Sequence, residues 1–137
     1  MENRQLKKDE RLHLRKDIDP LFTSGHSFVV YPFRVIYRIV GTPCAAPVSI
    51  LISIPKRRFR RAVWRNRLRR RTREAYRLCK ETLRAHVPDG QALHIAFLYI
   101  SNEPAAYALI EKKMQEILSR LAGNAFGPAA GKTAENP

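Results

Sequence analysis

The feature that most constrains this chain is a dense run of arginine and lysine between residues 56 and 73. Eleven of these eighteen residues are cationic, and no acidic residue interrupts them before Glu74. Like charges at helical spacing destabilise an isolated helix. A fold that contains this run therefore needs an apolar surface on which the run packs and an external anion that neutralises it.

The same run carries the pattern of a long amphipathic helix. From Val63 onward, apolar and small residues recur at spacings of three and four, which places them on one helical face. The predicted buried face consists of Trp64, Leu68, Thr72, Ala75, Tyr76, Cys79 and Leu83. The predicted opposite face consists of Asn66, Arg70, Arg73 and Arg77. Glu74 is interpreted as a counter-charge for a nearby arginine at helical spacing, namely Arg70, Arg71 or Arg77.

The other elements follow from periodicity and turn residues. A short helix over 17–24 is predicted to bury Ile18, Leu21 and Phe22. Strands are predicted over 28–40, divided or placed at an edge by Pro32, over 48–54, and over 92–100. The last strand is apolar without alternation, which indicates burial on both faces. A last helix is predicted to be capped by Ser101 or Asn102 and to end at Gly123.

The predicted order α-β-β-β-α-β-α indicates an α+β sandwich with helices on a small mixed sheet. Leu, Ile, Val and Phe make up 36 of 137 residues, enough for a hydrophobic core. We expect one domain over 17–122, preceded by a basic extended arm over 1–16. The segment 123–137 is predicted to be a disordered tail because it is rich in Ala, Gly and Pro.

The charge balance predicts a polyanionic partner. The formal net charge is +14 and the isoelectric point is about 10.6, so nucleic acid is the first expectation. The longest mostly apolar stretch, 45–54, is half the length that a membrane span requires. The polar N-terminus has no signal-peptide core, so we expect a cytoplasmic chain in which Cys44 and Cys79 are free thiols.

The sequence argues against catalysis by this chain alone. It has no carboxylate cluster for a metal ion, no glycine-rich phosphate loop, and no Ser/His/Asp or Cys/His nucleophile pattern. Two cysteines and four histidines at unrelated spacings do not form a zinc site. We therefore predict no catalytic residue and no bound metal in the chain.

Arginine predominates over lysine in the basic run, which favours bidentate phosphate contacts and stacking on bases. A second candidate surface consists of Phe22, Phe28, Tyr31 and Phe33. Aromatic side chains near cations make a groove for single-stranded nucleic acid, although aromatic residues in strands more often belong to the core. Periodicity leaves both interpretations open. Trp64 is interpreted as a core residue because it begins the apolar stripe.

The segment from Ile54 to Tyr76 closely resembles the signature of the bacterial ribonuclease P protein subunit. That signature has a basic residue after a strand, then Ala-Val, a variable residue, Arg-Asn-Arg, two basic residues and a further arginine. The matching residues are Lys56, Ala62-Val63, Arg65-Asn66-Arg67, Arg69-Arg70 and Arg73. The resemblance extends over about residues 5–121, and the derived element order agrees with it.

The resemblance implies a protein subunit of a ribonucleoprotein endoribonuclease, which hydrolyses one phosphodiester bond to remove the 5′ leader of precursor tRNA. It implies that the catalytic centre and its Mg²⁺ ions lie in the RNA subunit, and no obligate protein partner is evident. The implied contacts to the catalytic RNA are Lys56, Arg61, Arg65, Asn66, Arg67, Arg69, Arg70 and Arg73. The implied cleft for the precursor tRNA leader is lined by Phe22 and Phe33.

The resemblance also implies a fold shared with a domain of a small-subunit ribosomal protein. In it, the arginine-rich helix joins the third and fourth strands by a left-handed crossover, against the usual rule. One departure is Ile18, where the family commonly has an aromatic residue.

Two other functions remain as alternatives. A ribosomal protein or RNA chaperone without a processing role would share the charge but would not promote leader removal. A DNA-binding regulator that uses the arginine helix in the major groove has less support, because no helix-turn-helix pattern or dimerisation element is present.

Overall fold

The computed structural model describes residues 11–12, 15–41, 47–88 and 90–126. Within them the element order is α-β-β-β-α-β-α, which confirms the sequence prediction. The elements are α1 (Arg15–Ser24), β1 (His26–Val30), β2 (Phe33–Val40), β3 (Val48–Ser53), α2 (Ala62–Arg84), β4 (Ala92–Tyr99) and α3 (Tyr107–Phe126). Cys44, most of the predicted arm and most of the predicted tail lie outside the described residues.

The four described strands form one mixed sheet in the order β1-β2-β4-β3. The pairs β1–β2 and β2–β4 are antiparallel, whereas β3 and β4 are parallel and are joined through α2. Pro32 divides the first strand region as predicted, since Tyr31 and Pro32 form the turn between β1 and β2. The left-handed sense of the crossover stays a prediction.

One face of the sheet forms the main core beneath α2 and α3. The fully buried residues of β4 on this face, among them Ile95 and Phe97, pack with the buried stripe of α2. That stripe is confirmed for Leu68, Thr72, Ala75, Tyr76 and Leu83, and Trp64 and Cys79 are half-buried at its margins. Burial of these side chains stabilises α2 against the repulsion between its cations.

The other face of the sheet is covered by α1. Leu21 is fully buried and packs with Ile36 of β2, Ala96 of β4 and Leu12. The strand β4 is therefore buried on both faces, as predicted. The predicted apolar face of α1 is wrong at Phe22, which is 44% exposed, because only Leu21 points fully at the sheet.

The described end of the predicted arm belongs to the sheet. Arg11 forms a parallel bridge with Ile50 of β3, and the Leu12 N–H donates to the Ile50 carbonyl at 2.7 Å. The chain then enters α1 at Arg15, two residues before the predicted start. Arg11 and Leu12 thus lie along β3, and the predicted arm and domain bounds stay predictions.

Both predicted ends of α3 are wrong. Ser101 does not cap the helix, because its Oγ accepts the Glu103 N–H at 3.0 Å in a turn that precedes Pro104. The helix begins at Tyr107 and continues through Gly123 to Phe126. A helical glycine costs only about 1 kcal/mol relative to alanine, and the buried Leu121 keeps this turn on the core.

Gly25 sets how closely α1 lies on the sheet. A Cβ at this position would meet the Leu21 carbonyl oxygen and would lie 2.9 Å from both Ile36 Cγ2 and the Tyr37 carbonyl oxygen. We predict that Gly25→Ala lowers the free energy of unfolding by about 1–3 kcal/mol through overpacking. Urea denaturation measures this loss. Gly123→Ala is the control, because its Cβ meets no atom within 4 Å and should raise stability; equal effects would contradict the close approach.

His94 makes stability depend on pH. It is 4% exposed beneath α1, beside Arg38 and Asp17, and burial lowers its pKa below the ordinary 6.5. The unfolded chain therefore binds this proton first as the pH falls, so stability decreases through about pH 6.5 and levels off below the folded-state pKa. We predict that in His94→Gln the thermal midpoint changes less between about pH 7 and pH 5 than in the unmodified protein. An unchanged profile, equal to that of the exposed-site control His86→Gln, would contradict this.

Candidate nucleic-acid interface

The outer face of α2 brings several of the predicted RNA-contacting residues together. Asn66, Arg70 and Arg73 are exposed, and Arg69 is half-buried next to them. The Asn66 Oδ1 accepts a hydrogen bond from Arg69 Nη1 at 3.1 Å, which orients that guanidinium along the helix. Arg70 and Arg73 have no side-chain partner among the described residues. This stripe therefore offers guanidinium groups to an external anion.

Arg65 holds the loop that precedes α2. Its Nη1 donates to the carbonyls of Phe59 at 2.7 Å and Arg60 at 2.8 Å, so one end of the guanidinium is used by the preceding loop. This loop carries Lys56 and Arg61, which are both exposed. The first turn of α2 contains no acidic residue, and the partial positive charge of the helix start adds to these cations.

Arg67 lies at the edge of the exposed stripe of α2, about one turn before Arg70. Its guanidinium carbon is 4.7 Å from the centre of the Trp64 ring, in a cation–π contact. Trp64 packs partly against the main core, as predicted, and the other part of its surface carries Arg67. The contact fixes the Arg67 side chain at the flank of the stripe.

Other arginines of α2 and of the loop before it make contacts within the protein. Arg71 Nη1 donates to the Ala105 carbonyl at 2.6 Å, and Arg58 Nη1 donates to Asn102 Oδ1 at 2.9 Å. Both contacts fasten the loop between β4 and α3. Arg77 forms a 2.6 Å ion pair with Glu74, so the predicted counter-charge is confirmed for this one of its three candidate partners. The hydrogen bond from Arg77 lowers the pKa of the Glu74 carboxyl.

A second surface lies on the α1 face of the sheet. The strand register places Val29, Arg34, Leu98 and Ser53 in one row across all four strands. Val29 and Arg34 are exposed, so α1 leaves this row open. Phe22 is exposed on α1 at the same face of the sheet. An exposed aromatic ring and an exposed guanidinium on one face of a sheet suit a single-stranded nucleic acid.

The structure does not bring Phe22 and Phe33 together. Phe33 is fully buried on the opposite face of the sheet, edge-on to Tyr99 with 5.5 Å between ring centres. Its side chain therefore offers no surface to a leader, and the sequence prediction for Phe33 is corrected. Sequence reasoning missed Arg34, although the alternation of β2 contained the signal, because neighbours in a strand point to opposite faces. Phe28 is also in the core, whereas Tyr31 is 60% exposed.

Metal-ligating side chains do not cluster in the described part of the chain. No three His, Cys, Asp or Glu residues there lie close enough to hold a metal ion. None of the helices within the same residues is long and apolar enough to cross a membrane.

Comparison with known proteins identifies a related sequence family. The sequence profile of the Ribonuclease P family matches residues 6–122. A ribonuclease P protein component of Porphyromonas gingivalis is 48% identical, over 87% of this chain and 88% of that protein.

Solved structures share the fold. The ribonuclease P protein of Thermotoga maritima superposes with a TM-score of 0.64 at 26% identity, over 81% of this chain and 96% of that one. The ribonuclease P protein of Staphylococcus aureus gives a TM-score of 0.65 at 20% identity, over 82% of this chain and 95% of that one. A profile match over most of the chain, a close sequence relative and a common fold lead to one conclusion: the chain belongs to the ribonuclease P protein family.

Proposed function

We propose that this chain is the protein subunit of a ribonuclease P ribonucleoprotein, which removes the 5′ leader of precursor tRNA. The exposed stripe of α2 binds the catalytic RNA, and the open row beside α1 binds the single-stranded leader. The observation that carries the proposal is the stripe of Asn66, Arg70 and Arg73, which is presented to solvent by a chain of this family.

The two surfaces have different chemistry. The α2 stripe is cationic and follows a rigid helix, which suits the backbone of a folded RNA. The surface with Phe22 and Arg34 combines an aromatic ring with one guanidinium, which suits an unpaired strand. Because α1 and α2 pack on opposite faces of the sheet, one small protein holds two RNA segments apart.

The chemical step belongs to the RNA in this proposal. Phosphodiester hydrolysis by Mg²⁺ needs oxygen ligands that position the ions. We propose that RNA phosphates supply them, since the described residues of the chain bring no such cluster together. The protein then contributes charge neutralisation and substrate positioning.

Leader removal separates this function from a ribosomal or chaperone role. A reconstituted mixture of bacterial ribonuclease P RNA and precursor tRNA at low Mg²⁺ should release the leader faster when the protein is added. Tight RNA binding without such stimulation would favour the alternative, a ribosomal protein or RNA chaperone.

Substitutions at the neighbouring residues Arg70 and Arg71 distinguish a loss of RNA binding from a loss of folding stability. We predict that Arg70→Ala weakens binding to the catalytic RNA and makes the log–log salt slope less negative by about 0.7–0.9, with an unchanged thermal midpoint. Arg71→Ala should lower the thermal midpoint instead, because the Ala105 carbonyl loses its 2.6 Å donor. Filter binding across a salt series and thermal melts of both variants test this prediction. Weaker RNA binding by Arg71→Ala together with a lower thermal midpoint for Arg70→Ala would contradict the orientation of α2.

Phe22 tests the leader surface. We predict that Phe22→Ala reduces affinity for precursor tRNA by roughly 1–3 kcal/mol, the value of one stacked base, and spares mature tRNA. Leu109→Ala is the matched control, because Leu109 is similarly exposed, at 43%, but lies on α3. Binding of the holoenzyme to both tRNAs gives the comparison. Equal losses for the two substrates would count against a leader contact.

A further inference from the structure

Trp64 lies at the boundary between the main core and the exposed surface of α2. It is the only tryptophan of the chain and stands in the first turn of α2. It is half-buried, and part of its ring packs against the main core. Trp64 also occupies the variable position of the sequence signature, between Val63 and Arg65, so the resemblance implies no function for it. The structure gives the rest of its ring a defined neighbour.

That neighbour is Arg67, whose guanidinium carbon lies 4.7 Å from the centre of the Trp64 ring. This distance is within the roughly 6 Å over which a cation is attracted to an aromatic ring, and tryptophan is the most favourable ring for such a contact. Arg70 and Arg71, at helical spacing from Arg67, are both cationic and repel it. The attraction to the ring opposes this repulsion and holds the Arg67 side chain in one orientation.

The contact holds Arg67 without using its hydrogen-bond donors. The attraction is between the positive charge and the ring, so no N–H of the guanidinium has to reach an acceptor atom. Arg65 and Arg71 differ, because each donates to a backbone carbonyl of a neighbouring loop. Within the described residues, the Trp64 ring is the partner of the Arg67 side chain. The Arg67 N–H groups thus stay available for a phosphate, which a guanidinium binds through parallel hydrogen bonds.

We propose that Trp64 is a positioning residue for RNA binding, because it holds the Arg67 guanidinium at the edge of the exposed stripe of α2, where it binds a backbone phosphate of the catalytic RNA. This inference rests on the proposed function and deepens it. A side chain that is already ordered loses less conformational entropy on binding. The affinity for RNA therefore depends on a ring that acts through Arg67.

Two substitutions of Trp64 separate positioning from packing. Trp64→Leu and Trp64→Phe both remove volume at the margin of the core, but only Trp64→Phe keeps an aromatic face for Arg67. With a bacterial ribonuclease P RNA as the probe, we expect Trp64→Leu to weaken binding about threefold to tenfold and Trp64→Phe to weaken it less. Thermal melts of both variants measure the loss of packing. Equal RNA binding by the two variants would contradict positioning by the ring.

A double-substitution cycle gives a result that a purely structural role of Trp64 would not produce. In the Arg67→Ala background, Trp64→Leu should cause no additional loss of RNA binding, because the positioned group is absent. The same loss in both backgrounds, or an Arg67→Ala variant that binds as tightly as the unmodified protein, would overturn the positioning role and leave the proposed function intact. Failure of the unmodified protein to bind the RNA would instead overturn the proposed function.

The contact itself is tested by a variant in which the core is unaltered. Because Trp64 is the only tryptophan, the tryptophan fluorescence of the protein reports on this ring alone. We expect Arg67→Ala to shift the emission, because the cation over the ring is removed. Arg70→Ala is the control, since it removes a cation from the next turn of α2 and should leave the emission unchanged. The same emission from the unmodified protein and both variants would overturn the proposal.

Discussion

The structure depends on packing the buried stripe of α2 against the sheet in spite of the charge that the helix carries. Residues 56–73, which include the loop before α2, carry eleven cations that repel one another. Burial of Leu68, Ala75, Tyr76 and Leu83 offsets this repulsion at roughly 25 cal/mol per Å² of apolar surface. In the proposed function, the catalytic RNA relieves the repulsion that remains, and this helix then links folding to RNA binding.

The arginines of α2 divide by the partners that their side chains have within the described residues. Arg65 and Arg71 donate to backbone carbonyls, and Arg77 pairs with Glu74. Arg70 and Arg73 remain exposed. Arg65 and Arg71 fix the loops around the helix, whereas Arg70 and Arg73 are exposed for the RNA contact that we propose. A single sequence motif thus supplies both the contacts that hold the neighbouring loops and the exposed guanidinium groups of the proposed RNA interface.

Periodicity was sufficient to predict the element order, the buried stripe of α2 and the burial of β4 on both faces. It failed where tertiary contacts decide. Gly123 does not end α3, because the neighbouring turn is anchored in the core. Phe33 and Phe22 share a residue type and lie on opposite faces of the sheet, which composition cannot distinguish. The sequence also did not indicate which arginines are used within the protein, because their acceptors include the carbonyls of Phe59 and Ala105. Every residue has a backbone carbonyl, so residue type does not identify the acceptor.

The central claim is that α1 and α2 hold two different RNA segments on opposite sides of one sheet. Tethered hydroxyl-radical cleavage tests it most directly, with the native cysteines replaced by serine and a single probe attached at position 22 or 70. The account predicts that the probe at 22 cleaves the precursor leader and the probe at 70 cleaves only the catalytic RNA. Cleavage of the leader from position 70, or of the same RNA segment from both positions, would contradict it.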